Sequence, residues 1–227
     1  MSELTLILDP ATGELTVEGL SDAEASALAG DLLPPARPLN CARPLTSRPL
    51  PCPQEASGPT LRVARLYHGS VVDGPGRRSV VQTQGCVHQC RGCALTETHS
   101  LAGGVALGIE AIVAALLDAQ GEPRDGITVT GGEPFLQPVG LLALLHRLKA
   151  HDLHTVVYTG FTLEALVRRV EPEVYAALNL IDVLIDGPFV AHLANGTGEW
   201  RGSRNQRVIY MPDEAARGRR RYSEHKT

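Results

Sequence analysis

Ile127-Thr128-Val129-Thr130-Gly131-Gly132-Glu133-Pro134 decides how this chain is read. Four β-branched residues in a row favour a strand, and Gly-Gly before Glu-Pro breaks that strand into a turn. Upstream, Ile109, Ile112, Val113, Leu116 and Leu117 recur at helical spacing and predict a helix over 109–120, stopped by Gly121. Downstream, Leu141, Leu142, Leu144, Leu145 and Leu148 mark a second helix. A strand at 155–159 follows, then a third helix after Thr162 with Leu163, Leu166, Val167 and Val170 on one stripe. Strands at 180–185 and 207–211 complete the series, the first ending in Asp186-Gly187-Pro188. Strand and helix alternation with short connections predicts an α/β domain built on a parallel sheet. In such sheets the chemistry sits beyond the carboxyl ends of the strands.

A strand at 78–84 runs straight into Cys86-Val87-His88-Gln89-Cys90-Arg91-Gly92-Cys93. Three thiols that close together on a loop can wrap one small metal centre. A structural zinc or an electron-transfer iron–sulfur cluster usually takes four protein ligands, so three leave a position open for substrate or cofactor. A zinc site completed by His88 or His99 is the plain alternative. Five cysteines in all, an odd number with three clustered, make a poor disulfide framework. The other two, Cys41 and Cys52, lie in a proline-rich stretch, where exposed thiols are more common than a second redox site.

The chain has 227 residues, 43% of them apolar, enough for one full domain and an appendage. Its 21 basic and 25 acidic residues leave a net charge of −4, which argues against nucleic acid or an anionic membrane as partner. No apolar run is long enough for a membrane span and no signal peptide is visible, so a soluble, cytoplasmic protein is expected. Residues 1–33 read as a small β-β-α unit: strands at 4–8 and 14–17, then a helix capped by Ser21. Residues 34–60 read as a proline-rich linker, 61–212 as the main domain, and 213–227 as a basic disordered tail.

The cysteine spacing together with Gly131-Gly132-Glu133-Pro134, 38 residues beyond Cys93, resembles the radical S-adenosylmethionine (SAM) superfamily. Asp73-Gly74-Pro75-Gly76, Thr98-His99, Gly103-Gly104, Asp186-Gly187-Pro188-Phe189 and Trp200-Arg201-Gly202-Ser203 resemble the glycyl-radical activating enzymes, and among them the activators of anaerobic ribonucleoside-triphosphate reductase. The resemblance covers roughly residues 62–211. It implies a partial (β/α)6 barrel with a small α+β extension before it. It implies an oxidoreductase in which Cys86, Cys90 and Cys93 bind three irons of a [4Fe–4S] cluster whose fourth iron is chelated by SAM. Gly92, Cys93 and Ala94 then lie against SAM, and Gly131, Gly132, Glu133 and Pro134 against its methionine end, with Glu133 an acceptor near the ammonium. Thr159 and Asp186 are candidate SAM contacts whose structural alternatives are a helix N-terminal turn and a strand-end turn. Arg201 and Arg207 are candidates to pair with an anionic group.

By that resemblance the reduced cluster cleaves SAM to a 5′-deoxyadenosyl radical, which takes hydrogen from a glycine of a partner enzyme. The implied electron donor is a flavodoxin or ferredoxin. The family's usual bulky residue after the third cysteine is Ala94 here, and Leu95-Thr96 replaces its Asn-Pro. The competing readings are a radical SAM enzyme acting on a small molecule or peptide, similar to 7-carboxy-7-deazaguanine synthase, and a non-catalytic zinc or iron–sulfur module.

Overall fold

The computed structural model describes residues 5–8, 15–18, 50, 58–118 and 124–211. The chain divides into two units, Met1–Pro44 and Leu45–Thr227. In the first, β1 (Thr5–Leu8) and β2 (Leu15–Glu18) pair antiparallel. The helix expected after Ser21, the linker apart from residues 50 and 58–60, with its Cys41 and Cys52, and the basic tail lie outside the described residues.

The second unit is a seven-stranded mixed sheet. Its strands are β3 (Thr60–Ser70), β4 (Arg78–Thr83), β5 (Val105–Gly108), β6 (Gly126–Gly131), β7 (Thr155–Tyr158), β8 (Val183–Asp186) and β9 (Arg207–Tyr210). They lie in the order β5-β3-β4-β6-β7-β8-β9. The central β4, β6, β7 and β8 are parallel, while β3, β5 and β9 run antiparallel to their neighbours. Four parallel strands thus stand where a six-fold β/α repeat was expected. The expectation missed β3 because the register shifts between Val63 and Arg65, and an irregularity of that kind breaks the two-residue alternation by which a strand is recognised. It missed β5 because those four residues run directly into helix α1 (Ile109–Leu117).

Alternate strand residues point to opposite faces of the sheet. Val81, Val129, Val157 and Leu184 are buried with Ile112 and Leu116 of α1 and with Leu141, Leu144, Leu145 and Leu148 of α2 (Pro138–Ala150) in the main core. Pro138 stands in the first turn of α2, where its missing N–H costs nothing. The opposite face carries a small cluster, Val156, Val183 and Ile185 with Tyr158, Trp200 and Val208.

The helix after Thr162 is shorter than its stripe predicts. Thr162 caps α3 (Leu163–Leu166) by accepting from the Ala165 N–H. The chain then turns, leaving Val167 and Val170 53% and 93% exposed. Pro172 opens a separate α4 (Pro172–Leu178) and holds Glu171 extended, as a proline does to the residue before it.

The connection at 71–77 is fastened across the sheet's second face by Arg78, whose side chain is 1% exposed. Its guanidinium donates to Thr128 Oγ1 at 2.6 Å and to the carbonyls of Pro75, Ile127 and His154 at 3.0, 2.6 and 3.0 Å. Burial lowers its pKa to about 10. Thr128 in turn donates to the Asp73 carbonyl at 2.6 Å. Asp73-Gly74-Pro75 is thereby held against the lower part of that face, leaving a hollow above it.

Candidate active site

The cysteine loop grows from the end of β4 and closes on itself. The Gly85 N–H donates to the Thr98 carbonyl at 2.8 Å, and the Cys86 N–H to the His99 carbonyl at 3.1 Å. Inside the loop the Cys93 N–H reaches the Cys90 carbonyl at 3.1 Å, and the Leu95 N–H reaches Cys93 Sγ at 3.4 Å. All three thiols are free, Cys86 buried and the other two half-buried. Burial pushes the Cys86 thiol up, with Glu133 and Cys90 adding to it, while the N–H groups of His88 and Gln89 pull the other way. Metal binding at such a thiol releases its proton.

The turn after β6 is knitted to this loop by backbone. The Gly132 N–H donates to the Thr83 carbonyl at 2.9 Å, and the Glu133 N–H to the Gly85 carbonyl at 2.7 Å. Gly131 has φ +105°, a conformation side chains rarely adopt. A Cβ on Gly132 would stand 2.2 Å from the Gly85 carbonyl oxygen. Both glycines are therefore required by the approach of two backbones, a reason that holds with no cofactor present.

Glu133 is fully buried. One oxygen accepts from the Phe135 N–H at 3.0 Å and Thr159 Oγ1 at 2.9 Å. The other accepts from the Gly160 N–H at 2.8 Å and from His88 Nε2 at 3.0 Å. The His88 ring also meets Phe161 edge-on, centroids 4.5 Å apart at 70°. The carboxylate expected to face the SAM ammonium is thus occupied joining the cysteine loop, its own turn and the exit of β7. The role of His88 was not legible in the sequence, since its partner lies 45 residues away.

A cavity of about 590 Å³ opens over these loops, a size typical of small-molecule sites. Cys86, Cys90, Cys93 and Ala94 border it from one side, and Gly131, Gly132 and Thr159 from the strand ends. Phe189, Trp200 and Tyr158 add aromatic walls. Gly92, Glu133, Pro134 and Asp186 are not among its lining residues. Asp186 is 1% exposed; it accepts from the Leu163 N–H at 2.7 Å and from the Arg207 guanidinium. Arg207 also grips Glu164 with two bonds, 2.9 and 2.8 Å long.

That grip holds the Glu164 carboxyl down from its ordinary 4.5 to about 2. A depressed carboxylate stabilises the fold above its ordinary pKa and loses that contribution as pH falls toward 2. Glu164 is half exposed, so the effect is at most about 1 kcal/mol. Glu164→Gln is expected to lower the unfolding midpoint by roughly 2–4 °C at pH 7, and by progressively less from pH 4.5 down to pH 3. A constant difference across that range would show that the ion pair is not its source.

The donor set suits an iron–sulfur cluster. Thiolates are the soft ligands such clusters take, and three of them border one cavity. Among them in the loop, His88 is hydrogen-bonded through Nε2 to the Glu133 carboxylate. Among the described residues no three His, Cys, Asp or Glu side chains are gathered to hold a single ion. Among the same residues no helix is long and apolar enough to cross a membrane.

Three thiols beyond a parallel strand, facing a glycine turn across one cavity, define an iron–sulfur α/β domain. Residues 72–209 match the family described as 4Fe-4S single cluster domain, and the chain belongs to that family. Its relatives narrow this further. The anaerobic ribonucleoside-triphosphate reductase-activating protein of Vibrio cholerae serotype O1 is 39% identical over 150 residues, 63% of this chain and 93% of that protein. The protein of the same name from Salmonella typhi is 36% identical over 159 residues, 66% of this chain and 99% of that one. The pyruvate formate-lyase-activating enzyme of Clostridium pasteurianum is 36% identical over 105 residues, 44% and 43% of the two chains. A structural likeness to QueE from Escherichia coli has a TM-score of 0.39 at 21% identity, covering 45% of this chain and 53% of that one, and carries no argument.

Proposed function

We propose that this chain is a radical SAM enzyme that installs a glycyl radical on an anaerobic ribonucleoside-triphosphate reductase. The observation that carries the reading is the meeting of Cys86, Cys90, Cys93, Gly131 and Gly132 on one cavity, in a chain whose relatives bear that activating name. The cluster and SAM, when bound, supply the one-electron cleavage that yields a hydrogen-abstracting 5′-deoxyadenosyl radical. The chain's own residues do the rest. Cys86, Cys90 and Cys93 hold three irons. Ala94, Gly131, Gly132 and Thr159 border SAM, and the aromatic walls keep water from the reacting carbon. Gly92, Glu133, Pro134 and Asp186 act from behind the cavity by fixing the loops that border it.

A glycine α-hydrogen is a suitable target because both flanking amides stabilise the radical left behind. The electron donor belongs to this proposal as a flavodoxin or ferredoxin, and so do the domain limits, with the radical SAM core at 61–212 following the 1–33 unit and the 34–60 linker. The partial-barrel curvature belongs to it too. Its support is that Tyr67 and Val72 from one end of the sheet and Phe189 and Trp200 from the other border the same cavity.

The test mixes the anaerobically reconstituted, reduced protein with SAM and the reductase. The expected result is 5′-deoxyadenosine together with a glycyl radical signal on the reductase in electron paramagnetic resonance. Steady 5′-deoxyadenosine release with no radical on the reductase would turn the reading toward another substrate. A protein that takes up zinc and never iron would end it.

A further inference from the structure

Two residues that border the cavity carry a buried polar atom that nothing in the protein satisfies, Oε1 of Gln82 and Nε of Arg201. Gln82 lies on β4 and is 5% exposed. A buried amide oxygen without a donor is costly, and native structures seldom tolerate one that no ligand or water meets.

Beside it stands a relay headed by Tyr67. Tyr67 Oη donates to Asp73 Oδ2 at 2.9 Å, and Ser70 Oγ donates to the same oxygen. Burial above all, with Asp73 beside it, raises the Tyr67 phenol far beyond its ordinary range, so it keeps the proton it gives to Asp73. The Tyr67 oxygen is then left as an acceptor, and the Gln82 amide beside it pulls the phenol pKa the other way. Oε1 is the end of the amide that no protein donor meets.

Beside this relay the loop at 71–77 presents Val71 and Val72, 63% and 70% exposed, and Val72 also borders the cavity. Two exposed valines side by side at a cavity rim suit the flank of an entering polypeptide better than a nucleoside. A peptide backbone also offers both an N–H for Gln82 and a carbonyl for Arg201.

Resting on the function proposed above, we infer that Gln82 is a substrate-recognition residue: its Oε1 accepts a backbone N–H of the partner's glycine-bearing segment. Arg201 Nε is placed to donate to a carbonyl of the same segment. The bond reads main chain rather than side chain, which is what a segment centred on glycine offers.

The test is calorimetric binding of a synthetic peptide spanning the reductase's radical glycine to the reconstituted protein with SAM bound. It uses the all-amide peptide and a series in which one amide at a time is replaced by an ester, which lacks the N–H. One ester position is expected to weaken binding to the wild type about tenfold, and that loss is expected to vanish in Gln82→Met. Equal losses in both proteins at every position would overturn the inference and leave the proposed function standing. So would a Gln82→Met protein that binds SAM tenfold more weakly but the peptide as tightly as before, since the acceptor would then serve the nucleoside. A wild type that binds SAM but neither peptide nor reductase would overturn both.

Discussion

Changing Cys90 to alanine is expected to reduce 5′-deoxyadenosine release to the level of a protein-free control and to strip most of the iron. Cys86, Cys90 and Cys93 border one cavity, and three thiolates are the fewest that leave one iron of a cluster open for SAM. With two, the cluster has two exposed corners and no defined site for the sulfonium. Cys90 is half-buried and its thiol is free, so its loss removes little packing. The cluster-free variant should unfold within about 2 °C of the cluster-free wild type. Iron and sulfide content, visible absorption and product release are measured on both proteins. A brown Cys90→Ala protein with full iron and undiminished SAM cleavage would remove Cys90 from the ligand set.

The second large effect is expected at Glu133. Its two oxygens accept from Phe135 N, Thr159 Oγ1, Gly160 N and His88 Nε2, and the side chain is fully buried. Glu133→Ala leaves all four donors facing an empty space, at a cost of about 3–5 kcal/mol. The unfolding midpoint should fall by roughly 10 °C. Glutamine does not restore the site. Each oxygen faces one backbone N–H, of Phe135 or of Gly160, and neither can reverse its polarity. Whichever way the glutamine amide is turned, its NH2 meets an N–H, and Glu133→Gln should still lose about 1–3 kcal/mol. Iron retention should fall in both variants, since His88 lies inside the cysteine loop and loses its anchor. Thermal unfolding and iron content of both proteins decide this, and a Glu133→Gln protein as stable as the wild type would show that the carboxylate is not required.

The sequence reading did best where the information is local. Cys86-x3-Cys90-x2-Cys93 is a property of eight consecutive residues. The stripes of α1 and α2 repeat within a few turns, so Leu141, Leu144, Leu145 and Leu148 were identifiable as core before any fold was known. It did worse where a distant contact or a break in period decides. The stripe after Thr162 looked continuous through Val170, yet the helix stops at Leu166 and Val170 is exposed. The strand β3 was hidden by a register shift.

By itself, then, the sequence determined the three clustered thiols and their spacing, the α/β alternation and the family to which these belong. Those depend on residue chemistry and on periods of two and 3.6, which a chain carries before it folds. Only the tertiary structure decided what each motif residue touches. It gave Glu133 to His88, Thr159, Gly160 and Phe135, and Asp186 to Arg207 and the Leu163 N–H. It left Gln82 Oε1 without a partner. The partners in the Glu133, Asp186 and Gln82 networks come from different strands, and which strands lie side by side is settled by how the whole sheet packs, not by any one segment.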